Sequence, residues 1–108
     1  MKVRRVNSPD GSRYGYRFDC PGCAAPHVIP VKPHERGWDF NEDEQSPTFG
    51  PSILVYPHGI LNDDGSVGQS PRCHSFVRTG CIEYCADSTH ALAGKTVELP
   101  ELEPEREG

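Results

Sequence analysis

Two cysteines set two residues apart, Cys20-Pro21-Gly22-Cys23, restrict what this chain can become more than any other feature. Thiolates at that spacing can grip one tetrahedral ion. Pro21 presets φ and Gly22 tolerates positive φ, so the pair suits a tight turn whose N–H groups point at the sulfurs. The same spacing also serves redox dithiols, which sit at a helix N-terminus where the thiol pKa is lowered. Here Pro26 and a β-branched run follow Cys23. No helix is expected there, and ligation is the better reading.

One such pair supplies half a site. Cys73 stands where a loop enters a strand, a common place for a ligand, and His90 lies in a short capped turn that could approach from the side. The expected ligand set is Cys20, Cys23, Cys73 and His90, holding a structural zinc ion (Zn2+). His74 is an alternative ligand if the chain bends at Arg72. His27 is expected to shield the site or to donate a hydrogen bond to a sulfur. Cys81 and Cys85 would lie about 13 Å apart on one face of an extended strand, too far to share an ion, and read as buried thiols.

The chain has 108 residues, enough for one domain and too few for two cores. Hydrophobic residues make up only 34%, and proline and glycine contribute 11 each, so turns are frequent and the core is thin. Metal binding is expected to be folding free energy here, so that the metal-free protein is largely unfolded or molten. A formal charge of −5 disfavours nonspecific nucleic-acid binding, which rests on counterion release. Met1–Val6 has no apolar stretch ahead of the polar SPDGSR, and no run is long enough to span a bilayer. A soluble protein of the host cytoplasm is expected. Reducing conditions and an odd number of cysteines, five, both argue against a disulfide framework.

The pattern predicts a small β-rich, zinc-ribbon-like fold of short antiparallel strands and hairpins with one short helical turn. Val3 and Val6 mark a first strand, and Ser8-Pro9-Asp10-Gly11 a turn. Tyr14, Tyr16 and Phe18 alternate with polar or small residues and lead into Cys20; His27–Val31 reads as the return strand. Trp38–Phe40 is a short strand, Ser52–Tyr56 the candidate central strand, and Gly59–Pro71 a loop. Cys73–Arg78 and Cys81–Cys85 flank Thr79-Gly80 as a tight hairpin. In it His74, Phe76 and Arg78 share one face, and Cys73, Ser75 and Val77 the other. Asp87–Gly94 reads as the helical turn and Lys95–Leu99 as the last strand. The domain should span 1–99, with 100–108 an acidic, disordered tail.

Several stretches together resemble a small-protein family of phages, prophages and bacteria whose members often carry the label ammonia monooxygenase. They are Cys20–Cys23 with His27, Trp38-Asp39-Phe40-Asn41, Ser46–Ser52, Cys73-His74-Ser75-Phe76-Val77 and Asp87–Gly94. Similar proteins often have cysteine in place of Ser88, and Cys81 and Cys85 depart from the usual pattern. The resemblance implies a phage or prophage origin and a metal site. The monooxygenase activity is not implied, because membrane monooxygenases need spanning helices.

No catalytic triad stands out in the sequence. The expected function is therefore a metal-stabilised interaction module that contacts a host or virion protein. One alternative is a zinc-dependent hydrolase, with His74, Asp87 or Glu83 as base beside an ion with an open coordination position. Another is a nucleic-acid-binding module using Arg4, Arg5, Arg13 and Arg17.

Overall fold

The computed structural model of the protein describes residues 1–102. Its regular structure is entirely β: eleven short strands joined by turns, with no helix among the described residues. Consequently no helix is long and apolar enough to cross a membrane.

β1 (Arg4–Asn7), β2 (Arg13–Cys20) and β3 (Ala25–Pro30) form an antiparallel sheet in the order β1-β2-β3. The alternation of Tyr16, Phe18 and Cys20 puts those residues on its buried face. The four-residue turn Pro21–Ala24 reverses the chain, and Cys20 pairs with Ala25 across it. The second sheet has the order β11-β10-β9-β6, from β6 (Ile53–Val55), β9 (Cys73–Arg78), β10 (Cys81–Tyr84) and β11 (Thr96–Glu98). The β9–β10 hairpin turns through Thr79 and Gly80, both at positive φ (50° and 79°), as its two-residue loop requires. β4 (Asp39–Phe40) and β5 (Phe49–Gly50) make a minimal pair.

The core lies between the two larger sheets. Val3, Phe18 and Val31 from one side meet Val77, Ile82 and Leu99 from the other, all fully buried. Phe40 stacks on Phe49 at 4.9 Å and tilts against Tyr16 at 4.4 Å, which ties the small β4–β5 pair to the first sheet.

Three expectations need correction. β6 is an edge strand, not a central one, because only β9 pairs with it. Its apolar side chains reflect packing over the core on one face, not burial on both. The segment expected as a plain loop contains the hairpin β7 (Gly59–Leu61) and β8 (Val67–Gln69), turned through Gly65 at positive φ. Asp87–Gly94 forms successive turns without a helix. Its capping side chains are spent elsewhere: the Ser88 hydroxyl bonds the His74 backbone and Thr89 Oγ1 accepts the Arg72 N–H. The expected tail falls largely on residues 103–108, outside those described. Its first residues dock on the domain, with Leu102 buried and its N–H bonded to the Met1 carbonyl.

Candidate functional site

Two clusters of chemically capable side chains lie on opposite faces of β9, at neighbouring residues. The alternation of a strand produces this: Cys73 points into the core and His74 out of it.

On the inner face, Cys20, Cys23, Cys73 and His27 offer ligand atoms that all lie within 4.8 Å of one another. Cys20 ends β2, Cys23 lies on the turn, His27 is on β3, and Cys73 opens β9 across the core. The Cys20 and Cys73 sulfurs are 3.8 Å apart. Two thiolates on a tetrahedral ion with metal–sulfur bonds of about 2.3 Å would be separated by about 3.8 Å. His27 Nε2 is buried without a hydrogen-bond partner. Three sulfurs and one imidazole are the donor set of a closed structural site, and these residues fit a metal ion.

The electrostatics agree. Cys20 is pulled down to about 3, chiefly because the Cys73 thiol donates to it, against the opposing effect of burial, with the His27 ring and then the Tyr84 hydroxyl, 3.1 Å away, adding to the pull. Cys23 is pushed up to about 11 by burial and then by the charge on Cys20. Cys73 is pushed up as donor to Cys20, by burial, and by the same charge. Three crowded sulfurs therefore carry one negative charge between them unless a cation joins them.

The structure brings together three of the four expected ligands, Cys20, Cys23 and Cys73. The fourth donor beside them is His27, not His90. The His90 ring lies against Gly22, where a Cβ would come within 2.3 Å of it, and stands edge-on to Tyr84 at 4.4 Å. Its Nδ1 accepts the Leu92 N–H at 3.2 Å. Its Nε2, like that of His27, is buried without a hydrogen-bond partner, but His90 is not among the residues whose ligand atoms lie within 4.8 Å of one another. Gly22 is thus glycine to make room for the ring, and His90 packs over the knuckle. His74 is outside this cluster as well.

On the outer face, His74 sits between two partners. Nε2 lies 3.2 Å from Ser52 Oγ, and Nδ1 lies 3.1 Å from Asp87 Oδ1 and 3.3 Å from Oδ2. Ser52 immediately precedes β6, His74 is on β9, and Asp87 follows β10. Antiparallel pairing sets Leu54 opposite His74, so Ser52, two residues earlier, projects from the same face. The Ser88 hydroxyl bonds both the N–H and the C=O of His74, which fixes the backbone beneath the ring. His74, Cys85 and Asp87 also come close enough to share a metal. Both imidazole nitrogens are already engaged, however, by Asp87 and by Ser52. Serine, histidine and carboxylate in hydrogen-bond sequence are the arrangement in which an imidazole can take a hydroxyl proton while the carboxylate holds its other N–H.

The sequence reading placed His74 and Asp87 among candidate bases but passed over Ser52. The available signal was a histidine on the solvent face of a strand with a serine at the start of a neighbouring one. Which strand pairs with β9 is not written in that signal.

The outer site thus has the constellation of serine hydrolases, built on a β domain with a closed Cys/His cluster beneath it. Residues 2–85 match the family described as bacterial ubiquitination-like system serine protease (BubE), and the chain belongs to that family. No curated protein and no solved structure shows detectable similarity to it.

Proposed function

We propose that this protein is a serine peptidase of a bacterial ubiquitination-like system, with Ser52 as nucleophile, His74 as general base and acid, and Asp87 orienting the imidazole. The observation that carries this reading is the unbroken path from Ser52 Oγ through His74 to Asp87. The family description agrees with it. In this scheme Ser52 Oγ attacks the scissile carbonyl while its proton passes to His74 Nε2. His74 then gives that proton to the departing amine, leaving Ser52 acylated. Water, deprotonated by His74, releases the acid product and restores the serine. Asp87 keeps the Nδ1 proton in place throughout and stabilises the imidazolium. The protein partner expected from the sequence is, in this reading, the substrate.

The inner cluster is assigned a structural Zn2+ on Cys20, Cys23, Cys73 and His27, and the protein is assigned to the cytoplasm, where its five free cysteines stay reduced. Bound there, the ion would tie the Cys20–Cys23 turn to the start of β9. It would steady Cys73, and through the backbone His74, without touching substrate.

The test is covalent labelling with a fluorophosphonate, which reacts with activated serines. The wild type should be labelled at one site, identified by peptide mapping as Ser52. Ser52→Ala and His74→Ala should not be labelled although their melting curves match the wild type. An unlabelled wild type, or label at another serine, would overturn the proposal.

A further inference from the structure

We propose that the free edge of β6 is the substrate-binding strand, and that one residue of an extended substrate polypeptide pairs with the backbone of Leu54. This rests on the peptidase reading above and adds how the substrate is held.

The direction of the Leu54 backbone follows from its partner. His74 spends its N–H on Ser88 Oγ, and its C=O on the Ser88 hydroxyl and the Cys85 N–H, all on the β10 side. Leu54 lies opposite His74. It is therefore in a non-hydrogen-bonded pair, and its own N–H and C=O point away from β9 to the open edge. Among the described residues neither group has a partner. On either side a carbonyl is approached: the Trp38 Nε1–H bonds the Ser52 carbonyl at 3.1 Å, and His58 Nδ1, 2.9 Å from Ser70 Oγ, lies 3.2 Å from the Tyr56 carbonyl. Leu54 is left with both its N–H and its C=O open on that edge, whereas Ser52 and Tyr56 have their carbonyls approached. An open N–H and C=O on one residue are the pair an extended peptide residue satisfies in a single register.

The position suits the chemistry. Leu54 is two residues from Ser52, roughly 7 Å along the strand. A peptide residue paired there puts the scissile bond about two residues away, over Ser52 and His74. A groove of about 270 Å³ runs along this edge, lined by Val28, Ile29, Pro30, Trp38, Leu54 and Val55, with no Asp, Glu, Lys or Arg in its wall and His27 as its one titratable side chain. Its far wall is the edge of β3, where Pro26 and Pro30 lack N–H groups and flank Val28. A charged substrate side chain would lose its hydration in this groove without gaining a partner. The residue paired with Leu54 should therefore be apolar or small and uncharged.

The experiment uses a tetrapeptide-aminocoumarin library on the wild-type protein, followed by an N-methyl scan of the best peptide. Methylation of the single residue that pairs with Leu54 should lower kcat/KM at least about tenfold by removing its N–H, with the other positions affected less. Asp or Lys at that position should be disfavoured in the library. Leu54→Pro removes the edge N–H and should lose peptide turnover while keeping fluorophosphonate labelling of Ser52. Leu54→Ala keeps the N–H and should cleave the same peptide faster than Leu54→Pro does. If labelling of the wild type fails, the peptidase reading itself falls. If labelling holds but no methylated position is sensitive and Leu54→Pro cleaves as wild type does, edge pairing is wrong. A Leu54→Pro protein with unchanged peptide kinetics that turns from dimer to monomer would assign the edge to a second copy of the chain.

Discussion

Asp87 is half-exposed, yet replacing its carboxylate by an amide should cost far more than a surface change. In Asp87→Asn the new NH2 donates to His74 Nδ1, the imidazole proton shifts to Nε2, and the ring can no longer accept from Ser52. The expected loss is about 10³–10⁴-fold in the rate of fluorophosphonate labelling, with an unchanged melt. A loss under tenfold would remove Asp87 from the proposed chemistry. The inner cluster has its own residue-scale signature. In the metal-free fold Cys20 is ionised above about pH 3, whereas Cys23 and Cys73 hold their protons well past neutrality. Binding one ion between pH 6 and 8 should therefore displace two protons. Protons compete with the metal, so affinity should rise with pH, by about two log units per pH unit. Competition against a chelator of known affinity reads this slope directly. A slope near three would mean that Cys20 also enters protonated, as it would from an unfolded chain. Both clusters show why the sequence was only half informative at this scale. Cys20 and Cys23 announce themselves because their spacing is local. Ser52, His74 and Asp87 are brought together by strand pairing, and His27 stands with the three sulfurs because the β2–β3 register returns it to the face that carries Phe18 and Cys20.

At the scale of the element, β9 matters most, since its two faces carry the two side-chain clusters. Its alternation was legible: Cys73, Ser75 and Val77 are buried, and His74 and Phe76 face outward. So was the Thr79-Gly80 turn, because two-residue loops accept few residue types. Thr79 is nonetheless a poor choice at φ 50°, being β-branched and exposed. Thr79→Asn should stabilise the hairpin by about 0.5–1 kcal/mol in chemical denaturation, since asparagine favours this position of the turn. The backbone bond from the Thr79 N–H to Thr48 Oγ1 does not depend on the side chain and should persist. A loss of stability would show that the threonine side chain holds a contact its exposure hides. The β7–β8 hairpin was not legible, because Gly, Asn, Asp and Ser dominate its turn and its strands bury little. Asp87–Gly94 misled for the opposite reason: its capping residues are real capping residues, captured by β9 instead of by a helix.

For the whole molecule the central question is what joins the two sheets. Each is a set of short strands, and the shared core is a thin layer of Val3, Phe18, Val31, Val77, Ile82 and Leu99. Cys20, Cys23 and His27 belong to the first sheet and its turn, and Cys73 to the second. An ion on these residues would therefore cross-link the sheets and close a loop of roughly fifty residues in the chain. Apparent binding energies for structural zinc are on the order of 10 kcal/mol, and each kcal/mol is worth about 4–8 °C of melting temperature in a domain of this size. Chelation should accordingly lower the melting temperature by tens of degrees. It should also abolish fluorophosphonate labelling, because the backbone that leaves Cys73 is the backbone that carries His74. His27→Ala should lose the metal by elemental analysis, whereas His90→Ala and Cys81→Ser should retain it. Readding zinc to the chelated wild type should restore both the melt and the label. A chelated protein that melts cooperatively at the original temperature and still labels at Ser52 would show that hydrophobic packing alone holds the sheets in register, and the cluster would then have no part in positioning the triad.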